Sequence, residues 1–225
     1  MEIGRIAVLG AGQMGAGIAQ VASCAGFPVV MIDIEQKYID RGIQTIEKSL
    51  SKLVSKQRMT QEEADVAISL VSTSISREAA ADADLVIEAI PEVPELKFSA
   101  FKELDSICKE SAILASNTSS ISINDIADST NRPERVIGMH FMNPVPIMKL
   151  VEIINGSETD PEVTSAILTA SEKMGKTPLQ CNDSPGFISN RILCPMLNEA
   201  ILAFQEGVAE PEAIDGIMKL GMNHP

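Results

Sequence analysis

Flat aromatic rings are scarce in this chain: it has no tryptophan, one tyrosine and six phenylalanines in 225 residues. A surface that stacks successive bases needs such rings, so a platform for single-stranded nucleic acid is not expected. Basic residues are also short. Lys and Arg number 18 against 31 Asp and Glu, a net charge of −13, which argues against a general grip on nucleic acid or on an anionic membrane. Cysteine and histidine are few and scattered. Cys24, Cys108, Cys181 and Cys194 form no C-x-x-C pair, and only His140 and His224 could join them, so no metal centre is expected. The thiols read as reduced, mostly buried side chains of a cytoplasmic protein.

Residues 6–32 carry no charge, a length that could cross a bilayer. The stretch nevertheless holds five glycines, a proline and two glutamines, and its pattern changes from strand to helix to strand. No basic segment precedes it, and a strand begins by residue 3, so neither a membrane span nor a signal peptide is expected. With 45% hydrophobic residues the chain can bury a core of one large domain, or of one domain and part of another.

What that uncharged stretch contains is a glycine loop, Gly10-Ala11-Gly12-Gln13-Met14-Gly15, directly after a strand at 3–9 and at the head of a helix at 13–25. Gly10 permits the tight turn, Gly12 lets backbone approach a pyrophosphate, and Gly15 lets the helix pack close to the sheet. The helix start then offers unbonded N–H groups to phosphate. Asp33 closes the next strand about 20 residues on, where a carboxylate accepts hydrogen bonds from ribose hydroxyls. The same carboxylate repels a 2′-phosphate, so the expected cofactor is NAD rather than NADP.

Further strand-like runs lie at 29–33, 85–89, 113–116, 135–139, 148–154 and 177–180. The first five strands of the chain alternate with helices, which predicts βαβ units and a doubly wound sheet of the Rossmann type. Between 36 and 70 the pattern becomes a pair of helices, 36–57 and 60–70, with Thr60 and Glu63 spaced as a capping box. It reads as a helical-hairpin insertion projecting from the sheet. Asp160 is placed to cap a helix that ends near Gly175.

Lys37, Arg41, Lys48, Lys52 and Lys56 fall along one face of the first inserted helix. Such a stripe is either a solvated face, with Asp40 and Glu47 as partners, or a local site for a polyphosphate. His140 follows a strand end, and Glu152 lies on the next strand across the turn Asn143-Pro144-Val145-Pro146. A histidine with a carboxylate partner can act as a general acid/base, and carboxyl ends of strands line the ligand crevice of such sheets. Ser116 to Ser120 either caps a helix or presents a hydroxyl at another strand end; spacing alone leaves both open.

At Ser184-Pro185-Gly186 the βα pattern stops. Apolar helices at 187–205 and 211–220 begin an all-helical domain, giving boundaries of 1–184 and 185–225. No closing core element follows, so the natural protein is expected to continue.

The glycine loop, Ala115 to Ser120, Gly138 to Pro146, Lys149 to Glu152 and Ser184 to Arg191 together resemble the 3-hydroxyacyl-CoA dehydrogenase family, and within it the short bacterial 3-hydroxybutyryl-CoA dehydrogenases. The resemblance covers the whole chain in order. It implies reversible, NAD-dependent oxidation of an L-3-hydroxyacyl-CoA to the 3-ketoacyl-CoA, with His140 as acid/base and Glu152 as its orienting partner. It makes Ser119 a hydroxyl on the substrate oxygen and Asn190 a second polar contact to the acyl group. Glu92, Lys97, Ser119 and Asn143 match NAD contacts; Ser49 and Lys56, with Ser119, match CoA contacts, which favours the polyphosphate reading of the stripe. The resemblance also implies a homodimer or higher homo-oligomer formed through a helical carboxy-terminal domain that this chain holds only in part. Two other readings are a dehydrogenase of a free β-hydroxyacid, which would use a lysine acid/base, and an NAD(H)-binding sensor or structural protein that keeps the fold.

Overall fold

A computed structural model describes residues 1–224. Residues Met1–Ser184 form one unit and Pro185–Pro225 a second. The first unit is built on strands β1 (Ile6–Leu9), β2 (Val29–Ile32), β3 (Val71–Ser74), β4 (Leu85–Glu88), β5 (Ile113–Ser116), β6 (Val136–Phe141), β7 (Leu150–Asn155) and β8 (Thr177–Asn182). They make one sheet in the order β3-β2-β1-β4-β5-β6-β7-β8. Strands β1 to β6 are mutually parallel, β7 runs antiparallel to β6, and β8 pairs parallel with β7. The chain winds outward from β1 to β3 and then returns to the other side of β1 at β4. That reversal opens a crevice outside the carboxyl ends of β1 and β4, where open α/β sheets bind ligands.

Strands β1, β2, β4 and β5 are buried at every position, as near-continuous apolar runs covered on both faces should be. The cover is helical: α1 (Gln13–Cys24), α2 (Gln36–Ser55), α3 (Gln61–Ser69), α4 (Pro94–Ile107), the short α5 (Ile123–Ala127) and α6 (Pro161–Lys173). The pair α2–α3 fills the connection from β2 to β3. Its apolar residues Ile39, Ile46, Leu50, Ala64 and Ala67 join Ile18, Ala19 and Ala22 of α1 in one core cluster. A Cβ on Gly42 would come within 2.9 Å of the Ala11 carbonyl, so α2 rests directly on the glycine loop. Truncating the fully buried Ile46 to Ala would cost about 2–5 kcal/mol. Thr60 accepts from the Glu63 N–H and Glu63 from the Thr60 N–H, closing the capping box at the start of α3. Asp160 caps α6 by accepting from the Glu162 N–H at 2.7 Å.

Four differences from the sequence pattern have physical causes. Strand β3 was not foreseen: Val-Ser-Thr-Ser is polar and partly exposed at the sheet edge, so it lacks the apolar signal of its neighbours. Strand β1 starts at Ile6 rather than at residue 3, because the N–H groups of Gly4 and Arg5 are taken by Asp84 Oδ2, both at 2.8 Å. Strand β6 runs to Phe141, so His140 lies inside a strand rather than after one; β7 prolongs it by antiparallel pairing. The thiols are not mostly buried. Cys108 is, whereas Cys24 and Cys194 are exposed.

The second unit holds α7 (Ser189–Gln205) and α8 (Pro211–Met222). Neither buries a residue, and apolar side chains such as Leu197, Ile201, Phe204 and Ile217 are exposed. Among the described residues no helix is long and apolar enough to cross a membrane.

Candidate active site

The first turn of the crevice is made by backbone. Gly10 has φ +108°, and a Cβ there would meet the Ala89 carbonyl at 2.6 Å; a Cβ on Gly15 would meet the Gly10 carbonyl at 1.8 Å. Both positions are closed to any side chain. Gly12 is the reverse case: a Cβ would meet nothing within 4 Å, because the loop faces open space there. Gly12 also caps α1 without any side-chain bond, and no acid sits in the first turn. The N–H groups at the head of α1 therefore point at room for an anion, which fits a dinucleotide pyrophosphate.

Asp33 stands beside the loop. Its Oδ2 accepts from Ala11 N–H and its Oδ1 from Ile34 N–H, each at 2.7 Å, so the carboxylate is held by backbone on both oxygens. A cavity of about 970 Å³ runs along Gly10 to Met14, Asp33, Tyr38 and Arg41. Arg41 thus separates from the rest of the basic stripe and belongs to the wall beside Asp33.

A second cavity, about 320 Å³, shares Met14, Ala89 and Ile90 with the first and adds Glu92, Lys97, Asn117, Ser119, His140 and Asn143. His140 and Glu152 are register partners across β6 and β7. Their side chains meet at 2.7 Å, His140 Nδ1 to Glu152 Oε2, and both residues are buried. In the tautomer with its hydrogen on Nδ1, His140 donates to this carboxylate. Asn117 Oδ1 accepts from Phe141 N–H at 2.9 Å and ties the end of β6 to the end of β5. Gln13 Nε2 donates to Asn143 Oδ1 at 2.9 Å and links the glycine loop to the turn after β6.

Beside Ser119 lies an ionic group in which Lys97 and Glu88 are buried and Glu92 is exposed. Lys97 Nζ donates to Glu88 Oε1 at 2.6 Å, meets Glu92 Oε2 at 3.2 Å and donates to the Ile90 carbonyl at 3.3 Å. Glu88 also accepts from Ser116 Oγ at 2.6 Å and Ile90 N–H at 2.7 Å. Glu92 Oε1 accepts from Thr118 Oγ1 at 2.6 Å, Ser119 N–H at 2.7 Å and Ser119 Oγ at 3.2 Å. Burial works to raise the Glu92 carboxyl, but the Thr118 and Ser119 donors and the Lys97 ammonium outweigh it and hold its pKa below the usual carboxylate value.

The crevice therefore gathers the loop residues Gly10 to Gly15, Asp33, Glu92, Lys97, Ser119, Asn143, His140 and Glu152 around two joined cavities or directly behind them. Ser49 is half-buried on α2 and Lys56 is exposed at its end; neither lines these cavities. Asn190 lies in the first turn of α7, in the second unit. Sequence reasoning missed Glu88, whereas Asn117 and Thr118 lie in the segment Ser116 to Ser120 that it left open between a cap and a hydroxyl donor. A glutamate closing the apolar run Leu-Val-Ile-Glu, in the way Asp33 closes β2, was the available signal for Glu88.

Sheet order, glycine loop and Asp33 define a Rossmann-type dinucleotide-binding protein. Residues 5–184 match the family model "3-hydroxyacyl-CoA dehydrogenase, NAD binding domain", and residues 186–225 match "3-hydroxyacyl-CoA dehydrogenase, C-terminal domain". The "Probable 3-hydroxybutyryl-CoA dehydrogenase" of Deinococcus radiodurans is 55% identical over 98% of this chain and 79% of its own length. The 3-hydroxybutyryl-CoA dehydrogenase of Clostridioides difficile is 46% identical over 98% of this chain and 79% of its own. The crystal structure of (S)-3-hydroxybutyryl-CoA dehydrogenase from Ralstonia eutropha superposes with a TM-score of 0.98 at 45% identity, over 100% of this chain and 79% of that one. The chain belongs to the 3-hydroxyacyl-CoA dehydrogenase family, and its cofactor is NAD.

Proposed function

We propose that this chain interconverts an L-3-hydroxyacyl-CoA, with 3-hydroxybutyryl-CoA as the expected substrate, and the corresponding 3-ketoacyl-CoA. The observation that carries this reading is the buried His140–Glu152 pair, at 2.7 Å, on a pocket continuous with the nucleotide cleft. Bound NAD supplies hydride acceptance and donation. The chain's own residues do the rest. His140 Nε2 takes the proton of the 3-hydroxyl as the C3 hydride departs, and returns it in the reductive direction. Glu152 fixes the imidazole tautomer and stabilises the imidazolium. Ser119, aligned by Glu92, donates to the substrate oxygen, and Asn190 is the second polar contact to the acyl group. The Gly10 to Gly15 loop holds the pyrophosphate of NAD and Asp33 the adenosine ribose; Glu92, Lys97 and Asn143 serve the nicotinamide half. Ser49 and Lys56 bind CoA.

Oxidation of NADH with acetoacetyl-CoA, followed by absorbance, tests the reading. Turnover that disappears in His140→Ala supports it, and full turnover in that variant refutes it. We also read the protein as cytoplasmic and as a homodimer through its carboxy-terminal helices, because apolar side chains of α7 and α8 are exposed. Light scattering on the purified chain decides the second point.

A further inference from the structure

The Glu88–Lys97–Glu92 group carries an uncancelled charge. One ammonium stands between two carboxylates, at 2.6 Å and 3.2 Å. Glu88 faces Lys97 and the Ile90 N–H on one oxygen and Ser116 Oγ on the other. Glu92 faces Thr118 and Ser119. Lys97 and Glu88 are 1% and 0% exposed, so water screens that pair little, whereas Glu92 is 37% exposed on the pocket side. The triad is therefore a fixed single negative charge on the wall of the His140 pocket.

We propose that this triad sets the chain's preference between oxidised and reduced dinucleotide, with Glu88 as a positioning residue that acts through Lys97 and touches no ligand. The inference rests on the NAD-dependent reading above and adds a determinant to it. The oxidised nicotinamide ring is cationic and the reduced ring is neutral. A fixed negative charge beside that ring favours the oxidised form in the binary complex. During turnover the balance differs. As the ring loses its positive charge, His140 gains one, so the triad faces a nearby cation before and after the chemical step. The triad therefore biases cofactor binding much more than the equilibrium between bound substrate and bound product.

The test is calorimetric titration of wild type, Glu88→Gln and Glu92→Gln with NAD⁺ and with NADH, without acyl-CoA, after denaturant unfolding has shown that each variant folds. Removing either carboxylate leaves a neutral pair with Lys97. Both variants should then raise the ratio Kd(NAD⁺)/Kd(NADH) by about tenfold, the scale of a unit charge about 10 Å away at an effective dielectric near 20. A ratio unchanged in a folded Glu88→Gln overturns the inference, as does a Glu92→Gln that weakens both forms alike. Should Glu88→Gln not fold, Glu92→Gln decides the matter by the same criterion. Wild type that binds neither dinucleotide overturns this inference together with the function it rests on; a normal wild type with an unchanged ratio overturns the inference alone.

Discussion

Two ionic clusters border one small pocket, and they are built for opposite tasks. The His140–Glu152 pair meets at 2.7 Å and the Lys97–Glu88 pair at 2.6 Å, and all four residues are buried. The first joins a carboxylate to the one side chain whose ordinary pKa falls near neutrality, so its net charge changes with one proton. The second joins two carboxylates to one ammonium, none of them the acid/base of the proposed reaction. The frameworks match this division. Antiparallel register sets His140 against Glu152, and their side chains meet there. Glu88, Lys97 and Glu92 are woven into β4, α4 and the turn after β5 by several donors each. On the proposed mechanism, the proton moves at the first cluster and the cofactor is held at the second.

The largest effect expected from this contrast is on rate. His140→Ala should lower kcat by about 10²–10⁴, the usual contribution of a positioned acid/base, while NADH affinity changes little. Steady-state kinetics and a fluorescence titration on the same preparation check both halves. A variant that loses cofactor binding and turnover together would mean that the histidine is structural, and the division between the clusters would fail.

The triad should show the reverse pattern. Glu88→Ala removes one of the two carboxylates on Lys97 and leaves Ser116 Oγ and the Ile90 N–H without their acceptor, and leaving buried donors unsatisfied in this way costs about 1–3 kcal/mol. Urea unfolding measures it. A loss below about 1 kcal/mol would place the triad with exposed ion pairs and remove its claim to be a rigid element.

Acid gives a third comparison. Glu92 has its folded-state pKa held below the usual carboxylate value. Its stabilising contribution is complete above that usual value and is lost as pH falls through the lowered one, because the unfolded chain takes up the proton first. Stability measured by urea should therefore decline below about pH 4.5, and the decline should be shallower in Glu92→Gln. An acid limb identical in the two proteins would sink the assignment of that carboxylate.

The two clusters also differ in how far the sequence disclosed them. His140 is one of only two histidines and follows an apolar run, and Glu152 sits on the next run across a proline-rich turn. Their proximity was readable; their direct register was not, because it depends on β6 continuing to Phe141 against β7. Of the triad, the family resemblance named Glu92 and Lys97 as NAD contacts, but neither Glu88 nor the joining of the three was disclosed. Glu88 looks like the polar end of a strand and Lys97 like a helix-surface lysine, and nothing in local pattern says that a lysine is 1% exposed. Strand β3 escaped for a related reason, since an edge strand of Val-Ser-Thr-Ser has neither alternation nor an apolar run. The glycine loop was the most legible part. Its glycines answer to backbone contacts at 1.8 and 2.6 Å that no other residue tolerates.

The weakest expected effect lies farthest from both clusters. Lys56 is exposed at the end of α2, and among the described residues it pairs with no carboxylate. If it attracts CoA phosphates, it does so in water, where a single charge contributes on the order of 1 kcal/mol or less and salt screens it. Lys56→Glu should then raise KM for acetoacetyl-CoA by about three- to tenfold at low ionic strength, leave kcat unaltered, and lose most of the difference near 0.5 M salt. Buried charges would not behave so. A KM effect that persists undiminished at high salt would show that Lys56 works through a shielded contact, as the triad does, and a KM unchanged at low salt would take CoA binding away from this helix.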